Sequence, residues 1–146
     1  MRDDARHAAQ RAGAAARRFR AICIAFVPEA ATLDEAGWRE VESIVGRALA
    51  ARPVVMRWQL AVFTRLLDVV ALERTRHTLT GLSPAARWVL LESLAKSRLL
   101  LVRRGIWGLR TLVFMGYYAR PRAAADIGYR ASAAGWAARS RSTASP

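Results

Sequence analysis

Two histidines, His7 and His77, and a single cysteine, Cys23, are the residues of this chain best suited to metal or nucleophile chemistry. They lie far apart in sequence. Neither histidine has a second histidine at helical ligand spacing, and one cysteine cannot complete a tetrahedral site. His77 is expected to sit at or near a helix end, as a cap or surface residue. The serines lie in no nucleophile elbow and beside no histidine in sequence. A phosphate-cradling glycine loop is absent, as is a CxxCH haem motif. Glu40 and Glu42 could in principle form an acid/base pair, but they read as solvated residues on an exposed helix face. The expectation is a chain that is not an enzyme by itself, with no catalytic residue, no metal and no bound cofactor.

What the sequence has in excess is arginine. The 146 residues carry 24 basic side chains against 11 acidic ones, a formal charge of +13, and Lys96 is the only lysine. A GC-rich genome would explain arginine over lysine but not the surplus of base over acid. That surplus is uneven: residues 1–20 hold six arginines against Asp3 and Asp4, residues 21–86 balance at seven against seven, and residues 87–146 hold eleven bases against Glu92 and Asp126. The C-terminal part is a positive body that should attract an acidic protein surface, an anionic membrane or nucleic acid.

The elements that position these charges are helices. Large apolar residues recur at helical spacing, and no alternating run flanked by turn residues signals a strand. Residues 5–27 read as an alanine- and arginine-rich helix stopped by Pro28. Thr32 and Glu35 form a candidate capping box. It opens a helix to about Ala51, with Trp38, Val41, Val45 and Ala48 on one face, and Pro53 closes that segment. Residues 54–77 carry two apolar stripes, one of Met56, Leu60, Phe63, Leu67 and Val70, the other of Trp58, Val62, Leu66 and Val69. A helix so apolar is central to a bundle or wedged between partners. Ser83–Pro84 is a helix start. The helix it opens runs through Trp88, Leu91 and Leu94 and continues to Tyr118 with a bend near Lys96–Arg98. Its second half turns Leu99, Val102, Ile106, Leu109 and Val113 inward and Lys96, Arg103 and Arg110 outward. A short helical turn over 123–130 ends in Ile127-Gly128-Tyr129. The fold class is all-α, an irregular bundle of about five helices. Residues 1–130 form a single helical domain, and 131–146 form a flexible, disordered basic tail. A chain this long can bury roughly two thirds of its unfolded surface, enough for a core without staples.

Two binding classes compete with protein docking. Nucleic-acid binding is disfavoured, because Arg103, Arg104 and Arg110 sit in an apolar helix rather than on a polar recognition helix. A helix lying on a membrane surface would show an arginine face opposite a Leu/Ile/Trp/Phe face. The same apolar face serves equally for packing in the bundle. A basic helical nucleic-acid-binding or membrane-surface protein is thus the alternative reading. Arg17–Arg18 before Ala21–Val27 does not make an export signal, because the apolar run is short and no small-residue cleavage site follows it. No stretch reaches the roughly 20 apolar residues of a membrane span. A cytoplasmic location follows as the expectation, with peripheral membrane attachment left open.

Two stretches together carry a resemblance. The first is Arg18-Phe19-Arg20-Ala21-Ile22-Cys23-Ile24-Ala25-Phe26-Val27-Pro28. The second runs from Leu82-Ser83-Pro84-Ala85-Ala86-Arg87 through Gly116-Tyr117-Tyr118-Ala119-Arg120-Pro121 to Asp126-Ile127-Gly128-Tyr129. In order and spacing they resemble the small-subunit family typified by the third subunit of membrane-bound gluconate 2-dehydrogenase, over residues 18–129. A similar module is fused ahead of the flavin domains of long-chain alcohol oxidases of the glucose-methanol-choline (GMC) superfamily. The resemblance implies a helical, non-catalytic accessory subunit in a hetero-oligomer, one that binds and stabilises a separate FAD-containing GMC-type oxidoreductase. The FAD belongs to the partner. Two features depart from the family pattern: many members carry an export signal, and the acidic residue often found after the cysteine is Ile24 here. The residues expected to bind the partner are Arg103, Trp107, Arg110, Tyr117, Tyr118, Ile127, Gly128 and Tyr129. The aromatics among them are rigid bodies with polar tips, the type of group that interfaces favour.

Overall fold

The computed structural model describes residues 2–126, as six α-helices and two 3-10 turns, with no strand among the described residues. Helix α1 (Arg2–Phe26) packs through its C-terminal half on α4 (Pro84–Ala95) and α5 (Leu100–Tyr118). Its last turns bury Ile22, Cys23 and Ala25, and Pro28 then opens a 3-10 turn, Pro28–Thr32, that drives Val27 and Ala30 into the same core. Helix α2 (Glu35–Ala50) buries Trp38, Val41 and Val45 against α5. Helix α3 (Val54–Thr75) follows Pro53, and α6 (Pro121–Asp126) packs on the end of α5. The flexible tail expected from 131, and residues 127–130 of the expected final turn, lie outside the described residues.

The start of α2 differs from the expected capping box. The cap is Asp34, whose carboxylate accepts the Gly37 N–H at 2.7 Å. Thr32 instead donates its hydroxyl to the Glu29 carbonyl. The reason is the fate of Glu35. Its carboxylate cannot reach back to Thr32, because Arg20 holds it in a fork of 2.7 and 2.8 Å while also donating to Glu42 at 2.6 Å. The Arg20 guanidinium sits 5.3 Å from the centre of the Trp38 ring and so ties α1 to α2. This pairing, chiefly the hydrogen bond from Arg20, holds the Glu35 carboxyl below its ordinary range. The stabilisation it gives is present above the usual carboxylate range and is lost as pH falls through the depressed value. Glu42 is therefore half of an ion pair and not a free solvated carboxylate.

The Ser83–Pro84 start is observed: Ser83 Oγ accepts the Ala86 N–H at 3.2 Å. The bend expected near Lys96–Arg98 is a full break, so that the helix expected to run on to Tyr118 is two. The chain breaks over 96–99, where Ser97 Oγ accepts the Leu99 N–H at 3.2 Å, and α5 starts afresh. The break lets α4 and α5 pack against each other, so that Leu90, Leu91 and Leu94 share one core with Ile106, Leu109 and Val113. It also turns Leu99, expected inside, out to solvent. Lys96 closes α4 and pairs with Glu92 at 3.1 Å instead of extending an outer row with Arg103 and Arg110.

Helix α3 is docked along one stripe only. Leu67 and Ala71 are buried, Leu60, Phe63 and Val70 pack partly on the core, and Met56 is exposed. Asp68 fixes the register by accepting from Arg18 at 2.5 Å and from the Leu79 N–H at 3.2 Å. Two glycines of α5 permit close approaches: a Cβ at Gly105 would overlap the Phe63 ring of α3, and one at Gly116 would lie 2.7 Å from a Val45 methyl of α2. Helix α3 ends at Arg76, whose φ of 62° is an αL cap made by a non-glycine residue.

Arg87, in the Leu-Ser-x-x-x-Arg stretch, is buried. Its guanidinium donates to the carbonyls of Leu82 at 2.6 Å, Leu79 at 2.7 Å, Ala21 at 3.0 Å and Thr80 at 3.4 Å. One cation thereby joins α1, the turn Leu79–Gly81 and the start of α4. Burial pulls its pKa below the ordinary arginine value.

Cys23 lies in the core with its thiol pushed up to about 12 by burial, an effect the nearby Arg120 charge opposes. A thiol held protonated at neutral pH is no nucleophile. Its reaction with a disulfide reagent at pH 8 is expected to track the unfolded fraction through a urea titration. Fast labelling of the native chain would count against that burial. Because the folded value is raised, the contribution of Cys23 to stability is whole below about pH 9, the ordinary value, and is lost as pH rises toward about 12.

Candidate partner-docking surface

An α5 that buries Ile106, Leu109, Val113 and Gly116 must turn the opposite side outward. Spacing of three and four places Leu100, Arg104, Trp107, Thr111 and Tyr118 along that outer side, with Arg103 beside them. From Leu100 to Tyr118 this is about 27 Å of helix. Leu101, next to this row, is 81% exposed and Trp107 60% exposed. The side chains of Arg103 and Arg104 make no hydrogen bond or ion pair among the described residues, and α5 has no acidic residue in its first turn. Two cations therefore stand at the positive end of a helix dipole with nothing among the described residues to offset them, an arrangement that an anionic partner would relieve.

Among the expected docking residues, Arg103, Trp107 and Tyr118 fall on this exposed face. Arg110 lies at its edge, with its guanidinium 5.3 Å from the Phe114 ring centre and 5.8 Å from that of Phe26. Together with Phe26, Glu92, Ala95, Lys96 and Ile106, Arg110 and Trp107 line an open groove of about 170 Å³ where α1, α4 and α5 meet. Tyr117 turns inward: it packs on the core, and its ring lies under the Arg120 guanidinium at 4.3 Å. Arg120 is itself buried and donates to the Tyr117 carbonyl at 3.0 Å. Tyr118 leans edge-on against Tyr117, with ring centres 5.1 Å apart, and on Phe114 at 6.0 Å. Ile127, Gly128 and Tyr129 lie outside the described residues.

Leu100, Leu101 and Arg104 are not among the expected docking residues, because the bend expected near Lys96–Arg98 kept Leu99 inward, whereas the full break exposes the start of α5. The signal was present in Ser97, a residue that caps backbone N–H groups. His77 sits just past the end of α3, exposed, with Nδ1 2.8 Å from the Thr75 carbonyl. Among the described residues no group of three His, Cys, Asp or Glu side chains could hold a metal ion, and no helix is long and apolar enough to cross a membrane. No family model, no curated protein and no solved structure matches this chain.

Proposed function

We propose that this chain is a non-catalytic small subunit that docks on, and stabilises, a separate FAD-dependent oxidoreductase of the GMC type. The observation that carries the docking part is the outer side of α5. Exposed Leu100, Leu101 and Trp107 stand beside Arg103 and Arg104, two cations without a side-chain partner among the described residues, at a helix start without an acidic residue. Exposed apolar area rimmed by charge is costly for a free monomer and typical of an interface. The flavoprotein class of the partner rests on the motif resemblance, from the Cys23 helix through the Ser83–Arg87 start to the tyrosine pair.

Purification of the tagged full chain from the organism that encodes it tests this reading. The expected product is a complex in which the second protein carries FAD in a fixed ratio to this chain. The chain alone, expressed without that protein, is expected to be colourless and prone to aggregate. A colourless preparation from the native host, or one whose bound component is duplex DNA released by salt, overturns the reading.

A further inference from the structure

The second apolar stripe of α3 is exposed along its length except at Val62, which is half-buried. Val55, Trp58, Val62, Leu66, Val69 and Leu72 fall on one side of the helix, away from buried Leu67 and Ala71. Trp58 is 65% and Val69 60% exposed. The stripe is about 26 Å long from Val55 to Leu72. Valines recur every seven residues at 55, 62 and 69, with Trp58 and Leu72 three residues after the first and the last of them. That is the register of a helix–helix seam, with β-branched residues at one position of the heptad and large apolar ones at the other.

The seam has one flaw. Three residues after Val62, where the repeat calls for an apolar residue, stands Arg65. Its guanidinium makes no hydrogen bond or ion pair among the described residues. The carboxylate nearest along the helix, Asp68, is already engaged by Arg18 and by the Leu79 N–H. Glu73, the other acid on α3, lies eight residues on, about 12 Å along the axis.

That arginine selects the occupant. Two copies of α3 pairing over their full seams would bring their Arg65 guanidiniums together near the centre, in either direction. Sliding an antiparallel pair until Arg65 meets Glu73 of the other copy would leave Val55 and Trp58 uncovered. Residues 127–146 of this chain hold three arginines and no acid, so they cannot complete the seam. We infer that the outer stripe of α3 receives an amphipathic helix of another protein, one whose own apolar seam carries a carboxylate opposite Arg65. A single polar pair inside an otherwise apolar seam sets register and partner choice at some cost in stability. The inference rests on the reading of this chain as a docking subunit, but it does not require the partner to be a flavoprotein.

A photoreactive amino acid placed at position 62 or 69 of the full chain, in cells of the organism that encodes it, tests the inference. Adducts are expected with one helical segment of one other protein, with an aspartate or glutamate within its apolar seam. Arg65→Glu is expected to lower the adduct yield about tenfold while leaving helix content unchanged, and reversing the partner carboxylate to a base is expected to restore it. Adducts between two copies of this chain, adducts to lipid, adducts to a segment without such a carboxylate, or none at all each overturn it. If a flavoprotein co-purifies yet cross-links only from α5, this inference fails and the proposed function stands. If the cross-linked helix belongs to a protein without flavin, the reverse holds.

Discussion

Replacing Arg87 by alanine is expected to destabilise the fold by about 4 kcal/mol, read as a fall in the urea midpoint and a drop in Tm on the order of 10–15 °C. The size follows from what the side chain holds. Four carbonyls from α1, the Leu79–Gly81 turn and the loop before α4 converge on one buried guanidinium. Truncation leaves acceptors without donors where water is scarce, and each orphaned group costs about 1–3 kcal/mol. It also opens a cavity beside Leu79 and Leu82. Bringing a cation into the core is itself costly, as its lowered pKa reflects. The net loss is therefore smaller than four hydrogen bonds summed. Arg87→Lys is expected to recover only part, because an ammonium lacks the planar fork that reaches carbonyls on several sides. A midpoint unchanged in Arg87→Ala would mean that these carbonyls find water or other donors, and that α1 and α4 hold together by apolar packing alone.

Much of the fold was legible because the punctuation was strong. Pro28, Pro53 and Ser83–Pro84 act locally, through a missing N–H, a fixed φ and a side-chain cap, so they mark helix ends whatever surrounds them. The break over 96–99 contains neither glycine nor proline. It is imposed by tertiary packing, since Leu94 and Ile106 reach the same core only if the chain folds back between them. The capping box failed for a similar reason. Thr32 and Asp34 are both good caps, and the choice fell to Arg20, a residue of another helix that captures the Glu35 carboxylate. In α3 the two stripes were plain, but periodicity cannot say which one faces the core. That was decided by the Arg18–Asp68 contact and by the small Ala71 beside Leu67. Arg87 and Arg120 read as surface charges by type and are buried in fact. Their burial is supported by carbonyls, and carbonyls leave no trace in residue identity.

Trp107→Ala is expected to weaken binding to the proposed flavoprotein partner by about 2–4 kcal/mol, or roughly 30- to 1,000-fold in Kd, with stability of the isolated fold altered by less than about 0.5 kcal/mol. The separation of the two effects comes from exposure. The indole projects from the outer side of α5 beside Arg110, and little of this chain's own core would be lost with it. On a partner it would bring a large rigid surface at small entropic cost. Tyr118→Ala is expected to do less, about 1–2 kcal/mol in binding, because its ring already spends part of its surface on Tyr117 and Phe114. Tyr117→Ala should reverse the pattern. That ring lies on the core beneath Arg120, so its loss should appear as destabilised folding, with binding close to normal once the complex has assembled. The charged rim acts on a different quantity. Arg103→Glu together with Arg104→Glu should slow association and flatten its salt dependence, while dissociation stays governed by the apolar contacts. Titration calorimetry on the separated and recombined subunits, with stopped-flow association at two ionic strengths, distinguishes these outcomes. If Trp107→Ala binds like the unaltered chain while Tyr117→Ala does not, the partner engages the far end of α5 and not its exposed start. The face defined by Leu100, Arg104 and Trp107 would then lose its claim to the interface.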